Sequence, residues 1–312
     1  MATKDLTAGA RPGPIRLRAE RRRIGEDVVK AVLALCALVS VATTVGIVVA
    51  LVEPSLEFFR EISVVDFFSG ERWAPLFSPP SFGVQPLLVG TLMVTFWACV
   101  VALPFGLGAA IYLSEYAPPR VRGALKPALE VLAGIPTVVY GFFALTFFTP
   151  LLGDFGLEVG IFNVLSAGLV MGVMLIPTVA SISEDAMTAV PQELRDGAFG
   201  LGASRLQVAT RIVVPAAISG IVASYVLAIS RAVGETMIVL IAAGGLAQIT
   251  LDPREPAQTM TAFIGATGLG DVPTGSVEYK TIFAVGLTLF VLTFAMNMLS
   301  IRLVRRFREV YE

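Results

Sequence analysis

Histidine is absent from the 312 residues, and cysteine occurs only as Cys36 and Cys99. Both cysteines sit inside apolar runs, with no CxxC or other metal-ligand spacing. Zinc and haem ligation and Ser-His-Asp hydrolysis are thereby excluded or nearly so. Lysine is also scarce: none of Lys4, Lys30, Lys126 and Lys280 follows a glycine. A Walker A phosphate loop is missing, and with it ATP hydrolysis by that route. Charged residues make up 15% of the chain, against about 25% in aqueous domains. The net charge of −1 leaves no global basic footprint, so no nucleic-acid partner is expected.

Apolar residues fill the space, at 55% of the chain with a mean hydropathy of +0.80. Such a chain lacks the polar surface to stay dispersed in water. It reads as a polytopic all-α membrane protein whose surroundings are the lipid bilayer. Uncharged runs cover 31–52, 86–114, 131–153, 159–183, 212–230 and 281–301. Each approaches the roughly 20 residues that cross a bilayer, so six transmembrane helices are expected. The fifth run resumes beyond Arg231 and Glu235 as 236–251. Pro104, Pro136 and Pro177 interrupt spans, which is tolerable where neighbouring helices re-satisfy the backbone.

Basic residues set the expected orientation. Lys4, Arg11, Arg16, Arg18, Arg21, Arg22, Arg23 and Lys30 precede the first span, which predicts a cytoplasmic amino terminus. Six spans return the carboxyl terminus to the same side, where Arg302, Arg305, Arg306 and Arg308 lie. Loops 115–130 and 184–211 add three basic residues each, whereas the outer loops hold Arg60, Arg72 and Arg254, with Lys280 at an edge. The chain thus divides into a basic cytoplasmic tail over 1–28 and a transmembrane domain over 29–312. The first uncharged run, 22 residues long, exceeds a signal-peptide core and is expected to stay as an anchor. The outer loops 53–85 and 246–278 carry Phe58, Phe59, Phe67, Phe68 and Trp73, suited either to an interfacial segment or to an external partner.

The inner loop over 184–215 has the clearest local code. Pro191 opens a helical stretch in which Leu194, Ala198 and Leu201 share a face. Gly202 breaks it, Ser204 is placed to cap a second helix, and Pro215 leads into the membrane. The result is a small amphipathic knob, either lying on the membrane or fitted to a groove on a soluble partner.

The spacing of Asp196, Gly197, Ala198, Gly202, Ile212 and Pro215 resembles the EAA-type loop of the permease subunits of ABC importers, with Asp for Glu, Gly for Ala and Val214 for Leu. Ala133–Gly141 (AGIPTVVYG) and Arg231–Met237 (RAVGETM) further resemble the phosphate-specific importers, and the basic amino-terminal arm looks PstC-type rather than PstA-type. The resemblance covers about residues 28–308 and implies the type I importer permease fold. It implies a permease without its own ATPase activity, located in the bacterial inner membrane. Implied partners are a PstA-type sister permease, a PstB-type ATPase pair gripping the coupling loop, a PstS-type binding protein, and phosphate as cargo. No cofactor is implied.

Arg231 and Glu235 are four apart, on one face if the helix is continuous. Arg231 lies about 24 Å along a helix counted from Pro215. An intramembrane arginine costs about 2.5–3.5 kcal/mol on insertion scales, and Glu235 is the nearest offset. The pair either supplies positive potential to an anion pathway or fixes an interface with the sister permease. Thr137 and Tyr140 are further pathway candidates. Ser166, Ser224 and Ser230 suit lining or packing, and Gly134, Gly141, Gly168 and Gly172 suit close helix approach. Other oxyanions (sulfate, molybdate, phosphonate) remain alternative cargoes. An ion-coupled secondary transporter would need a relay of intramembrane carboxylates, of which only Glu235 qualifies, and a membrane scaffold or sensor is a third reading.

Overall fold

The structure, a computed structural model, describes residues 24–306. The expected basic tail falls largely on residues 1–23, outside the described residues, and helix α1 already starts at Ile24. The chain divides into two compact units, Met1–Ala50 and Leu51–Glu312. The first contributes the described stretch 24–50, which is continuous helix and uncharged from residue 31 on. In the second, the remainder of α1 (Ile24–Glu61) leads to α2 (Val64–Ser69) and a two-stranded antiparallel hairpin, β1 (Trp73–Ala74) and β2 (Ser81–Phe82). Helix α3 (Gln85–Ile111) follows, ending in a π turn over Tyr112–Tyr116.

Among the described residues, five helical spans are long and apolar enough to cross a membrane: Glu26–Glu61, Gln85–Tyr116, Thr137–Asp154, Val164–Thr188 and Val277–Arg302. The fifth expected span, 212–230, is broken. Arg205–Ala216 and Ile218–Val233 meet at 72° and complete the count only as one bent crossing. The reason lies around Pro215. A π turn over Ala209–Val213 precedes it, and proline offers no N–H and crowds the preceding turn. The run beginning at 212 therefore starts its crossing at Ile218, as α11 (Ile218–Val233).

The third span also starts later than hydropathy suggests. Residues 131–133 finish α4 (Pro119–Ala133), and Gly134–Pro136 breaks the chain before α5 (Thr137–Phe143). Pro136 disfavours helical geometry at Ile135, so an apolar run cannot continue as one helix. A π turn over Ala144–Phe148 and α6 (Thr149–Asp154) complete the span.

The bundle is built on α3 and α7 (Val164–Thr188). Ala98, Ala102, Gly106 and Ala110 recur every fourth residue on α3, and Gly168 and Gly172 answer them on α7. A Cβ at Gly172 would stand 2.6 Å from Val101 Cβ, and one at Gly168 2.6 Å from Trp97 Cβ. Small residues at this spacing let helix backbones meet, the main packing device where lipid removes the hydrophobic drive. Gly168, Gly172 and Gly141 are thus close-approach positions as expected, whereas Gly134 caps the end of α4. Ser183 and Ser224 hydrogen-bond at 2.8 Å between α7 and α11, and Ser166 accepts from Thr149 at 2.8 Å. Of the three serines suited to lining or packing, Ser166 and Ser224 are buried packing groups.

Among the described residues, three apolar clusters follow one another along α3. Near Leu87 they gather Phe58, Phe67, Trp73, Met260 and Phe263; in the middle Met171, Met174 and Tyr140; near Ala110 Met187, Val208, Val213 and Ile221. Edge-to-face aromatic contacts knit the first cluster, Trp73 and Phe263 lying 4.9 Å apart. Much of the aromatic loop therefore belongs to the core, with Phe68 left exposed. Helix α12 (Met260–Gly268) is fixed there by Met260 N–H donating to Thr91 Oγ1 at 3.0 Å. Helix α13 (Val277–Arg306) closes the described chain.

Candidate functional site

The two sequence signatures fold as two neighbouring helix breaks. At the first, Tyr140 Oη donates to Leu132 O at 2.8 Å, spanning the Gly134–Pro136 corner. Thr137 begins α5 half-buried. At the second, α11 ends at Val233 and the chain turns through Gly234–Thr236 before a π turn over Val239–Ala243. The breaks touch: a Cβ at Gly141 would lie 3.0 Å from Ile241 Cδ1 and 3.2 Å from Met237 O.

This geometry corrects the expected Arg231–Glu235 pair. The helix ends between them, so the four-residue rule has no common face to act on. Glu235, 9% exposed, turns forward and accepts from the backbone N–H groups of Met237 (3.0 Å) and Ile238 (3.4 Å). A carboxylate there satisfies donors that a helix start leaves unpaired and complements its dipole. The Glu235 carbonyl in turn accepts from Thr261 Oγ1 at 2.6 Å.

Arg231 goes elsewhere. It is exposed in the last turn of α11, where the helix dipole favours a cation. Its Nη1 donates to Thr178 Oγ1 on α7 at 3.4 Å. Among the described residues no carboxylate forms an ion pair with it. The structure therefore joins Arg231 to Thr178, sets Tyr140 at the neighbouring break and turns Glu235 away. Ser230 donates to Asn297 Oδ1 at 3.1 Å and ties α11 to α13.

The 184–215 loop folds as its local code demands. Helix α8 (Gln192–Gly200) is followed by Gly202 at φ +85°, a left-handed position with open space around it. Ser204 Oγ accepts from Gln207 N–H, and the Gln207 side chain accepts from Ser204 N–H, a reciprocal cap that starts α9 (Arg205–Val208). The π turn and α10 (Val214–Ala216) follow. Gln192 Nε2 donates to Asp196 Oδ1 at 3.0 Å. Gly197 faces open space, Ala198 and Val213 pack inward, Ile212 is half-buried and Pro215 is exposed. Leu201 and Leu206 are 91% and 62% exposed, so the knob carries an uncovered apolar face.

Two further ionic assemblies among the described residues have no sequence signal beyond the contribution of their cations to the charge bias. Glu184 on α7 is fully buried and takes Arg122 and Lys126 from α4, the latter at 2.8 Å. The carboxylates of Asp185 and Glu184 hold the Lys126 ammonium above the ordinary lysine range. Arg195, 9% exposed, pairs with Glu115 at 3.2 Å.

Residues 102–309 match the protein family described as binding-protein-dependent transport system inner membrane component. The chain belongs to that family. The permease is 35% identical over 277 residues to the probable ABC transporter permease protein YqgH of Bacillus subtilis, covering 88% of this chain and 89% of that one. It is 31% identical over 306 residues to the phosphate transport system permease protein PstC of Haemophilus influenzae, covering 91% and 94%. It superimposes with a TM-score of 0.62 on a bacterial ABC transporter involved in the import of the acidic polysaccharide alginate, at 16% identity over 92% of this chain and 100% of that one. That likeness shows the fold, the one shared by ABC importer permeases. The permease is a multi-pass inner-membrane subunit of an importer, and its family works with an ATPase and a substrate-binding protein.

Proposed function

We propose that this permease forms half of the translocation pathway of an ATP-driven phosphate importer and contributes no ATPase activity of its own. The observation that carries the reading is Arg231, a guanidinium at the end of a membrane-crossing helix with no carboxylate paired to it among the described residues. An unpaired arginine in a bilayer is costly and marks an ion route by default. Phosphate matches the guanidinium fork through parallel N–H···O⁻ bonds. The PstC relative carries phosphate in its name, which supports that anion over sulfate, molybdate or phosphonate. Tyr140 and Thr137 stand at the adjacent break as further pathway groups. The secondary-transporter reading gains no support, since Glu235 is already engaged by two backbone N–H groups.

The partners follow the same reading. A PstA-type sister permease completes the route, a PstS-type protein delivers phosphate from outside, and a PstB-type ATPase pair grips the 184–215 loop through its exposed Leu201 and Leu206. The excess of basic residues in the tail, in the two inner loops and after residue 301 supports cytoplasmic termini.

Labelled-phosphate uptake by cells with and without this chain tests the cargo. Uptake is expected to depend on the chain and to survive excess sulfate. Sulfate competing on equal terms would reassign the cargo. The loop is tested by Gly202→Val. A β-branched residue at φ +85° costs about 1–2 kcal/mol and turns α9 away from α8. The variant should insert in the membrane yet lose the co-purifying ATPase, whereas full co-purification would contradict the docking role.

A further inference from the structure

A buried guanidinium ties α8 to the bundle, beside the apolar packing of Val208 and Val213 further along the knob. Arg195 Nη1 donates to Val190 O at 2.6 Å, and Nη2 donates to Met187 O at 2.7 Å and to Glu115 Oε1 at 3.2 Å. Ser114 Oγ donates to the same Glu115 oxygen at 2.9 Å. Met187 lies in the last turn of α7, Val190 just beyond it, and Glu115 in the π turn that ends α3. One side chain of α8 therefore joins the ends of the two helices on which the bundle is built. Most of α8 is otherwise exposed, with Ala198 its inward apolar contact.

The chemistry of the joint is directional. An apolar anchor would hold α8 as firmly, and burying a cation is a poor route to stability alone. The planar guanidinium fork instead fixes α8 at defined angles to two carbonyls and a carboxylate, which an ammonium cannot do. The held helix α7 also carries Thr178, the partner of Arg231. From Thr178 to Met187 is about 14 Å of helix at 1.5 Å per residue.

We propose that Arg195 is the positioning residue that transmits movement of α8 to α7 and α3, and so links the ATPase stroke to the Arg231 region of the pathway. The inference rests on the reading of the 184–215 loop as the element the ATPase grips. Without the fork, α8 can follow the ATPase while α7 stays behind, so ATP is hydrolysed without transport.

The test uses the complete importer, with sister permease, ATPase and binding protein, in proteoliposomes supplied with labelled phosphate and ATP. The readouts are ATP hydrolysed per phosphate imported and the amount of ATPase bound. Arg195→Lys is expected to retain the ATPase and raise the ratio at least about fivefold, the low end of coupling between sites. Glu115→Gln, which leaves both carbonyl bonds in place, should raise it less and in the same direction. Gly202→Val is the control for the docking reading. Should it bind the ATPase normally, that reading falls. Should it lose the ATPase while Arg195→Lys and Glu115→Gln keep a wild-type ratio, the joint alone falls. Loss of the ATPase from Arg195→Lys with an unchanged ratio in Glu115→Gln overturns the joint as well.

Discussion

Arg231→Gln is expected to lower phosphate uptake roughly ten- to hundredfold while leaving assembly and melting behaviour near those of the parent. The rate loss corresponds to the roughly 1.5–3 kcal/mol of one hydrogen bond to a charged group, removed where a dianion must pass. Assembly survives because Arg231 contributes little to packing: it is exposed and makes one long bond, to Thr178 at 3.4 Å. Arg231→Lys keeps the charge and loses the fork, so an intermediate rate is expected. Uptake measured beside ATPase co-purification separates the two uses of this residue. Slow uptake by an intact complex supports the pathway, and loss of the sister permease points to an interface pair. Full uptake by Arg231→Gln removes the pathway role.

The largest stability effect is expected from removing both cations around Glu184. Arg122→Ala with Lys126→Ala leaves a fully buried carboxylate without either cation, still accepting from the Thr188 hydroxyl at 3.1 Å. Breaking a buried pair from one side costs about 3–5 kcal/mol, because the remaining charge is stranded. In detergent the unfolding midpoint should fall by roughly 10 °C. Adding Glu184→Gln to the double variant should recover much of that loss, since the stranded charge is gone. Lys126→Ala alone should cost less, with Arg122 still in place. The lysine is held above the ordinary value of 10.5 by Asp185 and Glu184, so its contribution is fully present at neutral pH. It is lost only as pH rises through that raised value.

The legible parts of this chain are those whose causes are local. Gly202, Ser204 and Gln207 define a corner within six residues, because left-handed geometry and reciprocal capping need no distant partner. Gly168 and Gly172 likewise declare a helix contact through spacing alone. Hydropathy finds the spans but not their breaks. Summed over a window, it averages away the Gly134–Pro136 corner and the Pro215 bend, although the breaking residues are written in the sequence. Arg231 and Glu235 part for a related reason: the four-residue spacing holds only within a continuous helix, and α11 ends at its cap Gly234 between them. The ionic joints were illegible in a deeper sense. Arg195 meets Glu115 at a separation of 80 residues, and Arg122 meets Glu184 at 62. Burial of those charges is a product of tertiary packing, with no local signature beyond the charges themselves.

On the proposed function, a separate ATPase holding the loop around Gly202 drives phosphate past Arg231. The most direct test is labelled-phosphate accumulation in proteoliposomes containing either this permease alone or the complete importer. Accumulation should require ATP, the ATPase subunits and the binding protein together, with none from the permease alone. Phosphate accumulation by the permease reconstituted alone would contradict the account.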